Sequence, residues 1–282
     1  MARTSALAGR TAVITGGGRG IGAATAERLL QAGCRVALGD RDAMALEETR
    51  VRLTASYGAD RVAAAALDVT SSASWAEFRD DIAATGFGEV DVLVNNAGIM
   101  PLGSALEESD AVTESIMAVN VFGVIHGVKA FAPAMVARGS GSVVNVASAV
   151  GRLPLAGGAT YSASKFAVVG YSEALRAELE PSGVLVSTVL PTIVKTELSV
   201  GVPATIGVKP VTAEQVAEVV EHAIASGAPE LWVPRWAQSL GRGSQVLPRA
   251  GQSLLAKVTR ADRALAGADH GARAAYEARA RH

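Results

Sequence analysis

TAVITGGGRGIGAATAERLL, residues 11 to 30, passes from a β-branched apolar run through a glycine cluster into a segment of helical period. A strand that turns into a helix through glycines is the opening unit of a βαβ fold. Missing side chains at Gly16, Gly20 and Gly22 let backbone N–H groups approach a pyrophosphate at the positive end of the helix. The spacing is G-x-x-x-G-x-G, whereas the general dinucleotide fingerprint is G-x-G-x-x-G. Gly18, Arg19 and Ile21 lie in the same turn and are assigned with the glycines to the cofactor.

Outward from this unit, short β-branched runs alternate with longer segments of helical period, the pattern of a parallel sheet with helical crossovers. Strands are predicted at 11–15, 35–39, 61–67, 90–95, 141–148, 185–190 and 230–234. Their nearly continuous apolar character fits strands covered on both faces. Helices are predicted at about 20–32, 41–57, 72–85, 105–137 with a break, 160–180 and 212–226. The expectation is an α/β, doubly wound Rossmann-type fold, with a seven-stranded parallel sheet and helices on both faces.

Composition bounds the function. With 49% hydrophobic and 19% charged residues the chain is globular, and a net charge of -1 gives no case for nucleic-acid binding. A single cysteine, Cys34, excludes an internal disulfide and fits a reducing compartment, and Cys34 reads as a small buried residue. The four histidines match no metal-ligand spacing, so no metal is expected. No signal-peptide pattern and no run of ~18 uninterrupted apolar residues is present, and a cytoplasmic protein is expected. From Arg235 onward, eight arginines and one lysine face three acids. Residues 1–235 are therefore read as one catalytic domain and 236–282 as a basic, partly helical extension. That extension is expected to pack on the body or another subunit, with contact to an anionic membrane surface as the alternative.

Asp40 closes the second predicted strand, where a carboxylate can accept hydrogen bonds from ribose hydroxyls and repel a 2'-phosphate. This favours NAD; Arg19 and Arg41, able to receive a phosphate, keep NADP as the alternative. Four motifs then stand in order: TGGGRGIG, NNAG at 95–98, Ser148, and YSASK at 161–165. Together they resemble the short-chain dehydrogenase/reductase family in its compact single-domain form, over residues 10 to about 235. The resemblance implies that Asp68 and Val69 meet the adenine, that Asn95, Ala97 and Gly98 lie beside the cofactor, and that Asn120 holds a water in a proton relay. It also implies that Ser148 steadies the substrate oxygen, and that Pro191, Val194 and Thr196 flank the nicotinamide. Thr192 stands where the family commonly has glycine, which leaves the substrate side less defined.

The chemistry can be derived beside the name. Removing hydride from an alcohol carbon needs a base for the hydroxyl proton, and the reverse direction needs the same group as an acid. Tyr161 and Lys165, four apart at the start of a helix, place an ammonium beside a phenol, and that ammonium together with a cationic nicotinamide ring is expected to lower the phenol pKa. The predicted substrate is a hydrophobic secondary alcohol or ketone. This is read from Leu153, Leu155 and the apolar loop at about 196–211. An NADPH-dependent carbonyl or 3-oxoacyl reductase and a non-catalytic nucleotide-binding protein are the alternatives. Helices 105–137 and 160–180 resemble the family's pairing surfaces, so a homodimer or homotetramer is expected.

Overall fold

The computed structural model describes residues 7–202, 209–246, 265 and 267–280. Seven strands form one parallel sheet: β1 (Thr11–Thr15), β2 (Arg35–Asp40), β3 (Val62–Ala66), β4 (Val92–Asn95), β5 (Gly141–Val146), β6 (Val184–Pro191) and β7 (Glu230–Val233). Their spatial order is β3-β2-β1-β4-β5-β6-β7, so the winding reverses between β1 and β4, with Ile14 level with Leu38 on one side and Val94 on the other. Ligands of open α/β sheets bind outside the C-terminal strand ends at such a switch point.

Alternation along each strand builds two apolar layers. Ile14, Leu38, Val94 and Val144 face α1 (Gly20–Gln31) and α7 (Ala213–Ser226), which bring Leu29, Leu30, Val216 and Val220. Val13, Leu93, Val143 and Val186 face the opposite way, onto Trp75 and Phe78 of α3 (Ser72–Ala84), Phe131 and Met135 of α5 (Gly123–Ala137), and Leu175 of α6 (Ala159–Leu179). Covering both faces is what makes the strands read as continuous apolar runs. Side chains cap the helix starts: Asp42 accepts from the Ala45 amide to open α2 (Ala43–Tyr57), and Thr212 and Gln215 form a reciprocal capping box at α7. Cys34 is buried, its Sγ donating to the Leu7 carbonyl, and burial pushes its thiol up to about 11.

The helix predicted from 105 starts at α4 (Asp110–Met117), after a turn, and runs to Ala137. Its expected break is a π turn at Ala118–Phe122 that leads directly into α5. By length and composition this helix could cross a membrane, but half of its most apolar window is buried inside the protein. In the basic extension, α8 (Ala237–Val246) and α9 (His270–Ala280) are helical. The stretch 253–267, predicted to be partly helical, lies outside the described residues except for Leu265 and Gly267, as do positions 203–208 of the expected substrate loop.

Candidate active site

The glycine turn between β1 and α1 lies at the C-terminal edge of the sheet. Gly20 has φ +53, in the left-handed region that favours glycine, and Thr196 packs across it. A Cβ at Gly22 would sit 2.0 Å from the Gly16 carbonyl oxygen, so the turn closes on α1 only if residue 22 has no side chain. Ile21 is half-buried against the α1 and α7 layer. The result is a cradle of backbone at the start of a helix, the arrangement a pyrophosphate requires.

Asp40 stands beside this cradle. Its Oδ2 accepts from the Gly18 amide at 2.9 Å and its Oδ1 from the Asp42 amide at 3.0 Å, so two backbone donors fix the carboxylate. The two arginines that could receive a phosphate are already engaged. Arg19 pairs with Asp42 and, at 3.1 Å, with Glu197. Arg41 donates to the Arg279 carbonyl of α9. Asp68, at the end of β3, is exposed and accepts from the amide and hydroxyl of Thr70, while Val69 is buried.

The NNAG residues divide their work. The Asn95 side chain points into the protein and donates to Asn145, which in turn donates to Ser172 of α6. It therefore ties β4 to β5, and its neighbour Asn96 reaches the glycine turn instead, donating to the Thr15 and Gly16 carbonyls. The Ala97 amide donates to the Thr15 hydroxyl oxygen at 3.0 Å. Gly98 runs close to two candidate catalytic side chains: a Cβ there would lie 3.2 Å from Asn120 Oδ1 and 3.5 Å from Lys165 Nζ.

Asn120 occupies the centre of the π turn and is fully buried. Its Oδ1 accepts from the Ile99 amide, and its Nδ2 donates to the Ile99 carbonyl and to Ser164 Oγ, at 2.9 to 3.0 Å. That side chain clamps the loop after β4 onto α6. Ser148, just beyond β5, stands beside Tyr161, accepts from the Val150 amide, and lies 3.5 Å from the Pro191 carbonyl at the end of β6. Lys165 Nζ donates to the Val146 carbonyl at 3.3 Å and stands 5.8 Å from the centre of the Tyr161 ring. Val194 bridges to Val211, which holds the chain that carries Thr196 over the cradle.

Burial, rather than the lysine, sets the direction in which both groups move. It pushes the Tyr161 phenol above its ordinary value of 10, an effect the Ser148 hydroxyl opposes, and it pulls Lys165 down to about 8. The lowering expected from Lys165 together with a cationic nicotinamide is not seen in the protein alone, where desolvation of the phenol outweighs the Ser148 contribution and Lys165 is not among the causes of the shift. Leu155 packs in the apolar cluster around Tyr161, as expected, but Leu153 turns away into the cluster of Leu190 and Trp232.

Residues 10–206 match the model of the short chain dehydrogenase family. The chain is 38% identical over 199 residues to a 2,5-dichloro-2,5-cyclohexadiene-1,4-diol dehydrogenase of Sphingobium indicum, covering 70% of this chain and 78% of that protein. It is 40% identical over 192 residues to a D-threitol dehydrogenase of Mycolicibacterium smegmatis, covering 68% and 73%. A short chain dehydrogenase/reductase of Burkholderia phymatum solved in complex with NAD superposes with a TM-score of 0.76 at 30% identity, over 84% of this chain and 92% of that one. The chain belongs to the short chain dehydrogenase family. This dehydrogenase is an oxidoreductase acting on hydroxyl groups, and its doubly wound sheet is the family's.

Five residues near the dehydrogenase's site are missing from the motif reading. Asn96 could have been found as the second asparagine of NNAG. Glu197, Arg273, Tyr276 and Leu265 could not, because what places them is contact across the fold rather than local pattern. Among the described residues, no group of three or more His, Cys, Asp and Glu side chains is placed to hold a metal.

Proposed function

We propose that this dehydrogenase interconverts an apolar secondary alcohol and its ketone with NAD as the hydride carrier. The observation that carries the reading is the convergence of Tyr161, Ser148 and Lys165 at the strand ends facing the glycine cradle. The cradle fits a dinucleotide: Gly22 leaves room only for backbone, and Asp40 is fixed where ribose hydroxyls would meet it. Gly16, Gly18, Gly20 and Ile21 would line the pyrophosphate, Asp68 and Val69 the adenine, and Ala97, Gly98, Pro191, Val194 and Thr196 the nicotinamide side. Bound NAD would supply hydride acceptance and a positive charge next to the phenol. Asp40, held by two amides, and the engagement of Arg19 and Arg41 support NAD over NADP.

Within the protein, Tyr161 takes the hydroxyl proton on oxidation and returns it on reduction, and Ser148 Oγ orients the substrate oxygen and stabilises charge developing on it. Lys165 holds the ribose and keeps a cation near the phenol. Asn120 holds the loop of Ile99 against α6, so Gly98 stays beside Lys165. The relatives' names span a chlorinated ring diol and a sugar alcohol, so substrate class rests on this chain's own residues: Leu102, Val150, Leu155 and Leu198 surround Tyr161. Phe122 and Phe166, each near half-exposed on the two candidate pairing helices, support a homo-oligomer.

The test is a hydride-transfer assay at the nicotinamide absorbance over a panel of apolar secondary alcohols and ketones. Turnover with NAD that Tyr161→Phe abolishes supports the proposal. Full turnover in that variant refutes the mechanism, and an NADP-only enzyme favours the carbonyl-reductase alternative.

A further inference from the structure

We propose that Leu265 and residues 267–280 form the outer wall of the substrate site, that Leu265 sets the bulk of alcohol admitted, and that Arg273 latches the wall in place. The proposal rests on the assignment of Tyr161 to the reacting hydroxyl. The segment lies beyond residue 206, where the family match ends.

Leu265 is 5% exposed and packs with Met100, Leu102, Val150, Tyr161 and Ala268. Its reach is defined at Gly158, which precedes α6 and lies three residues before Tyr161. A Cβ at Gly158 would meet Leu265 Cδ1 at 2.7 Å and Leu102 Cδ2 at 3.3 Å. The leucine methyl thus lies over the beginning of the helix that carries the candidate acid/base. The Tyr161 and Ser148 hydroxyls stand together, the Tyr276 hydroxyl is already taken by the Met100 amide, and the packed cluster around Tyr161 is apolar. Such a site takes a ligand with one hydroxyl or keto group on a hydrocarbon body.

The wall is tied down by an arginine with no exposed surface. The Arg273 guanidinium donates to the carbonyls of Met100 at 2.6 Å, Val200 at 2.8 Å and Leu198 at 3.1 Å, and pairs with Glu277 at 3.2 Å. Those carbonyls belong to the loop after β4 and to the segment after Thr196, far apart in sequence. Tyr276 accepts from the Met100 amide at 2.7 Å, and the Asp269 amide donates to Gly201 at 2.8 Å. A buried guanidinium is tolerated only where its donors are matched, and here the matching joins two separate loops around Tyr161 to one helix. Arg279 extends the same helix to Glu197, which also holds Arg19 beside the cofactor cradle.

The experiment uses the full chain with NAD and secondary alcohols of increasing bulk: isopropanol, cyclohexanol and the fused two-ring decalol. Leu265→Ala is expected to raise the kcat/KM ratio of decalol to cyclohexanol by on the order of ten-fold or more, and Leu265→Trp to lower it, because single methylenes in apolar pockets already change discrimination by about ten-fold. A ratio unchanged in both variants overturns the wall. In parallel, Arg273→Met should speed amide hydrogen exchange at 99–102 and 197–202 by about ten-fold or more, with β1 and β5 amides unmoved and Arg273→Lys partly restored. Exchange equal to wild type in those loops overturns the latch. Should wild type turn over no alcohol in the series, the alcohol reading fails and the wall's role in selectivity with it, and exchange alone decides the latch.

Discussion

Replacing Asp40 with alanine tests cofactor choice at one carboxylate. The side chain holds the Gly18 amide at 2.9 Å and the Asp42 amide at 3.0 Å, so its charge is fixed at the end of β2 beside the glycine turn. Two unit charges at ~4 Å repel by about 4 kcal/mol at an effective dielectric constant near 20. Asp40 is only half-buried, and screening by water reduces this to about 2 kcal/mol, or about thirty-fold in relative affinity. Lost hydrogen bonds to the ribose add about 1.5 kcal/mol on the NAD side alone. Titration of NADH and NADPH by fluorescence should therefore show the ratio of their dissociation constants moving at least about thirty-fold toward NADPH. A second variant, Asp40→Ala with Glu197→Gln, removes one of the two carboxylates engaging Arg19 and should move the ratio further, since a freed guanidinium can meet a phosphate. A ratio that stays within about three-fold of wild type while both cofactors still bind would refute the assignment of Asp40.

Three other outcomes are expected. Ser148→Ala should lower kcat by about a hundred-fold or more with a small change in NADH affinity, because the proposal gives Ser148 the substrate oxygen beside the Tyr161 phenol and no part in the cradle; steady-state kinetics with NADH titration separates the two effects. Gly22→Ala places a Cβ 2.0 Å from the Gly16 carbonyl, so calorimetry should find NAD binding lost and the melting temperature lowered; binding at wild-type strength would mean the turn is not the cradle. Burial holds Lys165 at about 8 against an ordinary 10.5, so between those pH values the unfolded chain carries a proton that the folded chain lacks. Stability from this group consequently rises with pH across that window. The melting temperature of wild type should gain on that of Lys165→Met from pH 8 to 10.5, and a constant difference would contradict the assigned burial cost.

Much of the framework was legible because local chemistry and global topology agree. Every predicted strand core is a strand, and the glycines, Asp40, Ser148 and the YSASK pair meet at one edge of the sheet because parallel strands all end there. The interruption near Asn120 was harder to specify. A π turn has no composition signal of its own, and the reason for it is tertiary: Asn120 is drawn onto Ile99 and Ser164. The direction of the Tyr161 shift was likewise hidden, since spacing shows the lysine but not the depth of burial. Least legible was α9, whose alternation of alanine and arginine suits a solvated helix. Nothing local marks Arg273 as the residue that would be buried among carbonyls more than seventy positions away.

The placement of α9 has a practical side for anyone handling the protein. Its last described residue, Ala280, follows directly on Arg279, which is paired to Glu197 and thence to Arg19. If the proposed wall holds, a purification handle fused beyond this helix is tethered to the covering of the active cleft, and it should alter apparent selectivity without touching a motif residue. Fusion ahead of Leu7 joins the chain below the start of β1, at the opposite edge of the sheet. Kinetic comparisons between preparations tagged at different ends should be read with that asymmetry in view.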